Sequence, residues 1–373
     1  MKKLILLVLV LVCSSSRLFA LRPGDRAQEL VGVKMLRGEN IDLTPAAKNR
    51  TPPPLRAVVF LLCRAVNSET TVAMLDDLQR AYRDRLHIEV ITPDALPDAE
   101  ALLRSRGNVG IAFGLDTDRK ITKEYMAGSL LYPMAFLIDR RGVILWCGEA
   151  VDMAEKIPPA LSDKLSVSDE AEIAELVSEL QQLLRDNSET KMKRIADRIF
   201  SIEPGNAAAM RLRLFTLENT GRIAQAGTLI NEQLKAAPGL ARLYFTAVDF
   251  GARHGCSDAE LERIVSAFER RISDAGTRVR MGWMLLERFP YHPSALRAAA
   301  RILRRPLPEA ALPRANAAAG RALLEYRLGN LRDALAFQQE AVKQLNRAGS
   351  DDALNLAKDR EAYFRTVLEL HDR

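Results

Sequence analysis

The sequence predicts an α/β domain with a mixed sheet, followed by an all-α domain of paired helices. Three observations carry that expectation. From Leu21 to about Ile157, apolar runs of strand length alternate with helical patterns and Gly or Pro turns. After Pro158-Pro159 the chain turns rich in Ala, Leu and Arg at helical spacing and stays so. Within that second part, Pro204-Gly205 and Pro238-Gly239 stand 34 residues apart, a period typical of repeated helical hairpins.

The first twenty residues read as a secretory signal. Lys2-Lys3 give a basic start, Leu4 to Val12 an apolar run, and Leu18-Phe19-Ala20 a small-residue exit. Nine apolar residues fall short of the ~20 that cross a bilayer. Val12 stands where a lipoprotein signal carries a small residue, so lipid attachment at Cys13 is not expected. Three segments follow: a signal at 1–20, an α/β domain at 21–160 and a helical domain at 161–373. The boundary is drawn at Pro158-Pro159, because paired prolines disfavour both helix and ladder. The mature chain is expected outside the cytoplasm, periplasmic or extracellular, with no later run long enough to span a membrane.

Charge and cysteine content narrow the function further. Cleavage near Ala20 would remove Lys2, Lys3 and Arg17, taking the formal charge from +6 to +3. That is too little to argue for nucleic acid or an anionic membrane surface as partner. Cys63, Cys147 and Cys256 survive processing, an odd number that cannot make a complete disulfide framework. His87, His254, His292 and His371 are scattered, with no metal-ligand spacing, and no residue pattern calls for a cofactor.

In the first domain, Leu55 to Leu62 and His87 to Thr92 read as strands. Met134 to Ile138 and Gly142 to Cys147 read as two more, joined by the tight turn Asp139-Arg140-Arg141-Gly142. Between them lie two helices, Thr70 to Arg83 with apolar residues at 72, 75, 78 and 81–82, and Leu96 to Arg106.

Those residues carry a resemblance. The run Phe60 to Tyr82, Asp116-Thr117-Asp118, and Leu131 to Gly142 resemble the thioredoxin fold, and within it the TlpA-like and redoxin branch of exported proteins. Pro23-Gly24-Asp25, Leu36 to Glu39 and Ile41 to Leu43 resemble the N-terminal hairpin of that branch. The resemblance covers about 21–155. It implies a cis proline at Pro133 facing a redox turn with a Cys-x-x-Cys, yet this chain reads Ala65-Val66-Asn67-Ser68 there. Counting fixes the register: apolar positions seven and ten residues after the family's second cysteine, and an aromatic at fourteen, fall on Leu75, Leu78 and Tyr82 if Ser68 holds its place. Ala65 then holds the place of the attacking thiol and Arg64 that of a usual tryptophan. Attack on a disulfide needs a thiolate, which alanine cannot supply.

The remaining sulfurs are weaker substitutes. Cys63, two residues before that position, is expected to be a small buried residue, and so is Cys147. The two are separated by the Phe136 strand, so about two spacings of 4.8 Å exceed the ~7 Å Cα limit for a disulfide. Cys256 precedes Ser257-Asp258-Ala259-Glu260, a capping box, and a helix N-terminus lowers a thiol pKa. Cys256 is therefore expected to be the most reactive thiol.

The unit Asn206 to Pro238 resembles a tetratricopeptide repeat, with Gly221 at the inter-helix turn and Ala226 packed in the second helix. Ala322, Gly329-Asn330, Ala334 and Ala341 reproduce its small positions a second time, while Arg213 departs from an apolar one. The resemblance implies a concave face lined by the first helix of each pair, here Arg211, Phe215, Arg242, Phe245 and Tyr326, suited to a protein or peptide partner. Together these readings describe a non-enzymatic, exported interaction protein. The alternative is a thiol-disulfide oxidoreductase or peroxiredoxin-like enzyme acting through one unconventional cysteine, Cys63 or Cys256. Oligomeric state is not legible.

Overall fold

The computed structural model describes residues 21–40, 43, 55–106, 110–126, 132–186, 188–306, 311–348 and 351–372. The signal-like segment and Cys13 lie outside them, as do Ile41 and Asp42 of the expected N-terminal hairpin. The described strands are β1 (Lys34–Arg37), β2 (Leu55–Phe60), β3 (Leu86–Thr92), β4 (Ala112–Leu115), β5 (Met134–Asp139) and β6 (Ile144–Glu149). Helices α1 (Ser68–Tyr82), α2 (Leu96–Arg106), α3 (Lys120–Met126) and α4 (Met153–Leu161) accompany them.

Both faces of β2 are covered, which explains why its run is apolar save for the buried Arg56. β3 beside it keeps polar residues at His87, Glu89 and Thr92, the last two fully buried. The sheet order is β1-β4-β3-β2-β5-β6. β2, β3 and β4 run parallel, while β5 and β6 form an antiparallel hairpin against β2. Gly142, at φ +79°, takes the left-handed turn between β5 and β6 that a side chain would strain. On one face Ala57, Val59, Leu61, Ile88 and Leu137 meet α1, α2 and α4 through Leu75, Leu102 and Ile157. On the other, Val58, Phe60, Phe136 and Ile138 meet Ile121 and Tyr125 of α3. Phe60, Tyr125 and Phe136 pack there with ring centroids 5.1–5.9 Å apart. This is a thioredoxin-like α/β arrangement, and the rest of the described chain is helical.

One strand and one helix escaped the sequence reading, β4 and α3; β1, which takes in Leu36 and Arg37 of the expected N-terminal hairpin, pairs antiparallel with β4. The prolines differ from expectation as well. Pro158 and Pro159 sit inside α4 rather than breaking it. Met153, Ile157 and Ala160 of that helix are buried on the sheet, and in a nine-residue helix the proline rings remove few backbone bonds. The carbonyls of both prolines accept from the Ser162 hydroxyl, which closes the C-terminus.

Helices α5 (Val167–Asp186), α6 (Glu189–Ile202), α7 (Ala207–Asn219), α8 (Ile223–Ala236) and α9 (Ala241–His254) follow. The series ends with α10 (Asp258–Arg271), α11 (Ala275–Arg288), α12 (Pro293–Leu303), α13 (Ala311–Arg327), α14 (Leu331–Ala348) and α15 (Asp351–His371). The chain divides into two compact units. The first takes in the sheet, α5 and α6 up to Ile202, together with Ala207–Leu212; the second holds Glu203–Asn206 and the chain from Arg213 onward.

In the second unit helices pack on their sequence neighbours and on those two places along: α9 on α11, α10 on α12, α11 on α13. That is the arrangement of stacked hairpins. Gly221 and Gly329 hold positive φ at the turns after α7 and α13, where the sequence placed them. Ala226, Ala322, Ala334 and Ala341 are fully buried, as close helix approach demands.

In the first unit, Lys156 of α4 and Glu170 of α5 form a buried ion pair, Nζ to Oε1 2.6 Å. Removing one partner strands a buried charge. Lys156→Met should therefore cost about 3–5 kcal/mol in urea unfolding, and the double change Lys156→Met, Glu170→Leu should recover most of it. Equal loss in both variants would mean that the pair is not what holds α5.

Candidate functional site

The site begins where β2 ends. Leu61 N donates to Ile91 O at 3.0 Å, extending the sheet by one step, and the chain then turns. Ala65 N donates to Leu62 O, and Ser68 N to Ala65 O. The Asp94 carboxylate accepts from Cys63 N at 2.6 Å, and the buried Ser68 hydroxyl donates to Cys63 O at 2.9 Å. Both ends of the Cys63 peptide are thereby pinned. Ser68 opens α1, the position expected of it, while Val66 stands fully exposed at the tip.

Pro133 lies at the same end of the sheet. Phe60 pairs with Met134, so the residue before Met134 comes beside Leu61. The Tyr132–Pro133 bond is cis, as the resemblance implies, and Pro133 O accepts from Ala150 N.

Cys63 is 8% exposed, and its thiol contacts Thr92 Oγ1 at 3.4 Å. Burial pushes its pKa up; the Thr92 contact opposes this, and the nearby Asp94 and Asp98 carboxylates add to the rise. The exposed Arg64 guanidinium pairs with Asp98 at 2.8 Å. Cys147, opposite Phe136 in β6, is pushed up to about 12 by burial and then by Glu170. Both β2 and β6 pair with β5, so Cys63 and Cys147 remain separate free thiols.

Cys256 corrects the sequence reading. Its pKa is raised to about 11, not lowered, by burial first and then by the carboxylate of Glu260. The Ser257 cap forms as expected, accepting from Glu260 N at 3.2 Å. That same cap brings an anion to the helix N-terminus, which cancels its pull on a thiolate.

The expected groove residues divide. Arg211, in the first unit, is held by Asp152 at 2.9 Å and Glu149 at 2.8 Å. In the second unit, Arg242 donates to the carbonyl of Gly205. These two guanidinia serve the fold, because their partners lie far off in sequence and invisible to it. Phe215 is 60% exposed. Tyr326 is half-buried, stacked on Phe364 at 4.9 Å with its hydroxyl 2.8 Å from that of Tyr363. Phe245 packs edge-on to Phe268 and lines a cavity of about 640 Å³ with Val279, Arg280, Trp283, Met284 and Asn316. Of the five residues, only Phe245 reaches that cavity. Sequence reasoning missed the others, although stepping 34 residues from Phe245 lands on Val279, one turn before Trp283.

Among the described residues, no group of three His, Cys, Asp or Glu could hold a metal ion, and no helix is long and apolar enough to cross a membrane.

Likenesses to solved structures are distant. A proposed protein disulfide isomerase from Bacteroides thetaiotaomicron is 17% identical, with a TM-score of 0.32, covering 38% of this chain and 91% of its own. A peroxiredoxin-like protein from Aquifex aeolicus is 17% identical at TM-score 0.31, over 38% and 89%. An uncharacterized thioredoxin-like protein from Porphyromonas gingivalis is 14% identical at TM-score 0.29, over 37% and 94%. No protein-family model and no curated protein matches the chain.

Two measurements check this geometry. At pH 8 an ordinary cysteine with pKa ≈ 8.5 is roughly a quarter thiolate. A group near 11 is thiolate only about one time in a thousand, so iodoacetamide should label Cys256 at least about a hundredfold more slowly in the native chain than in urea. Fast native labelling would contradict the raised pKa of this half-buried thiol. Second, Phe268→Ala should cost about 3–5 kcal/mol and Phe215→Ala less than about 0.5, as melting temperatures will report.

Proposed function

We propose that this chain is an exported interaction protein: a thioredoxin-like domain that has given up dithiol chemistry, joined to a tetratricopeptide-type scaffold that binds a protein or peptide. The observation that carries the reading is the turn after β2. It keeps its backbone anchors at Asp94 and Ser68 while Ala65 and Ser68 occupy the two thiol positions. A thiolate cannot form at alanine, and the neighbouring Cys63 is held protonated by burial and by acids. What remains at that end of the sheet is a surface, with Val66 at its tip. Fold alone does not confer chemistry, so without the site residues a binding role is the simpler reading.

The helical unit supplies the second half of the proposal. Stacked hairpins, positive-φ glycines at Gly221 and Gly329, and buried alanines at the repeat's small positions support a tetratricopeptide-type scaffold. The cavity beside Phe245 gives that scaffold a place for a ligand. Export rests on the segment Met1–Ala20, read as a cleaved signal.

The mature chain should match the no-enzyme control in insulin reduction with dithiothreitol. A rate above control that vanishes in Cys63→Ser would replace this proposal with the oxidoreductase alternative. The double change Ala65→Cys, Ser68→Cys should install a reducible disulfide, seen by mass spectrometry as the loss of two hydrogens on oxidation. Two free thiols in the oxidised variant would mean that the register of the turn is misassigned.

A further inference from the structure

The helical unit carries two guanidinium groups whose surroundings differ from those of most of its arginines. Arg280 lies over the ring of Phe245 at 5.2 Å, and Arg360 over that of Trp283 at 5.6 Å. Neither makes an ion pair or hydrogen bond with any of the described residues. Elsewhere in the unit Arg301, Arg304 and Arg314 each hold a glutamate. A guanidinium laid on an aromatic face uses its flat side and leaves its in-plane N–H donors pointing outward. Those donors match a carboxylate.

Both rings belong to the cavity of about 640 Å³, a size suited to a few side chains of an extended segment. Trp283 is fixed before any ligand arrives. Its Nε1 donates to Asn316 O at 3.0 Å, and a Cβ added at Gly320 would meet Nε1 at 3.1 Å, so this glycine is what lets the indole lie there. A pre-set aromatic wall lowers the ordering cost of binding. Glu287 lies two turns further along α11, about 10 Å from Arg280 at 1.5 Å per residue, and is the acidic member of the lining. It repels acid at its own end and so gives the groove a direction.

We infer that this groove binds an extended peptide segment of acidic character, an Asp or Glu side chain pairing with Arg280, which lines the cavity, while an apolar neighbour lies against Phe245 and Trp283; Arg360, over the Trp283 ring, adds positive charge beside it. The inference rests on the reading of the helical unit as a peptide scaffold and names the ligand chemistry of that site. A strongly basic or uncharged segment leaves the Arg280 guanidinium covered and unpaired, which selects against it.

The test uses the mature full chain and three pools of short fluorescent peptides with apolar residues at alternate positions. Glu fills the remaining positions in one pool, Gln in the second and Lys in the third. Binding is read by anisotropy and by tryptophan emission. The chain has two tryptophans, and Trp146 is buried in the first unit at 5% exposure, so a ligand-dependent change reports Trp283. The Glu pool should bind saturably and more weakly as salt rises. R280Q should weaken it about tenfold or more, the scale of one lost charge-assisted hydrogen bond, and R360Q should weaken it less. The exposed position of Arg280 makes R280Q the decisive variant if R360Q lowers the melting temperature. Equal binding of the Glu, Gln and Lys pools, abolished by W283A, overturns the acidic preference and leaves the peptide scaffold standing. No change in anisotropy or emission with any pool overturns both.

Discussion

Strand β2 is the constraint on which the α/β unit depends. It is buried on both faces and bonded on both edges, to β3 in parallel and to β5 in antiparallel register. A slip of one residue would exchange its two faces, setting Ala57, Val59 and Leu61 against α3, and Val58 and Phe60 against α1 and α2. The strand therefore ends at one place, and the turn that follows inherits a fixed position. Asp94 then pins Cys63 N, and Ser68 pins Cys63 O. None of these restraints involves a side-chain sulfur, so the turn at Ala65 to Ser68 is held by backbone, carboxylate and hydroxyl groups alone.

Electrostatics at the turn point the same way. A reactive thiolate wants a nearby cation or a bare helix N-terminus. Cys63 instead has Asp94 and Asp98 for neighbours, while Arg64 turns its charge to Asp98. Cys256 does sit before a helix N-terminus, but the Glu260 that completes the cap removes the advantage. Each sulfur faces an environment that favours the neutral thiol, through burial first and acids second.

What could be read in the sequence follows from where burial is complete. β2 and β5 are apolar over most of their length because they are covered on both faces, and β3 is apolar save for His87, Glu89 and Thr92, so these runs stand out without any context. β1 and β4 are four residues each; β1 is exposed in part and β4 carries Gly114, against which Val33 and Met35 pack. Their pairing is written in contacts across the chain rather than in local pattern. The prolines of α4 misled for a related reason: local propensity disfavours a helix there, and burial of Met153 and Ile157 outweighs it. Arg211 and Arg242 fit a binding groove by position alone, and only the folded chain reveals that Asp152 and the Gly205 carbonyl occupy them.

The groove of the helical unit has its own local cause. A Cβ at Gly282 would come within 2.6 Å of Leu303, so α11 approaches α12 closely at that residue. Adjacent residues on a helix point about 100° apart. Packing Gly282 against α12 therefore turns Trp283 away from that contact, toward Asn316 and the cavity, with Arg280 one turn before it on the same side. The same logic holds at α13, where Gly320 keeps clear the space that Leu303 and the indole share. Small residues chosen for close packing thus decide which large ones are left facing the open side, and in this chain the residues left there are an indole, a phenyl ring and the arginines that lie on them.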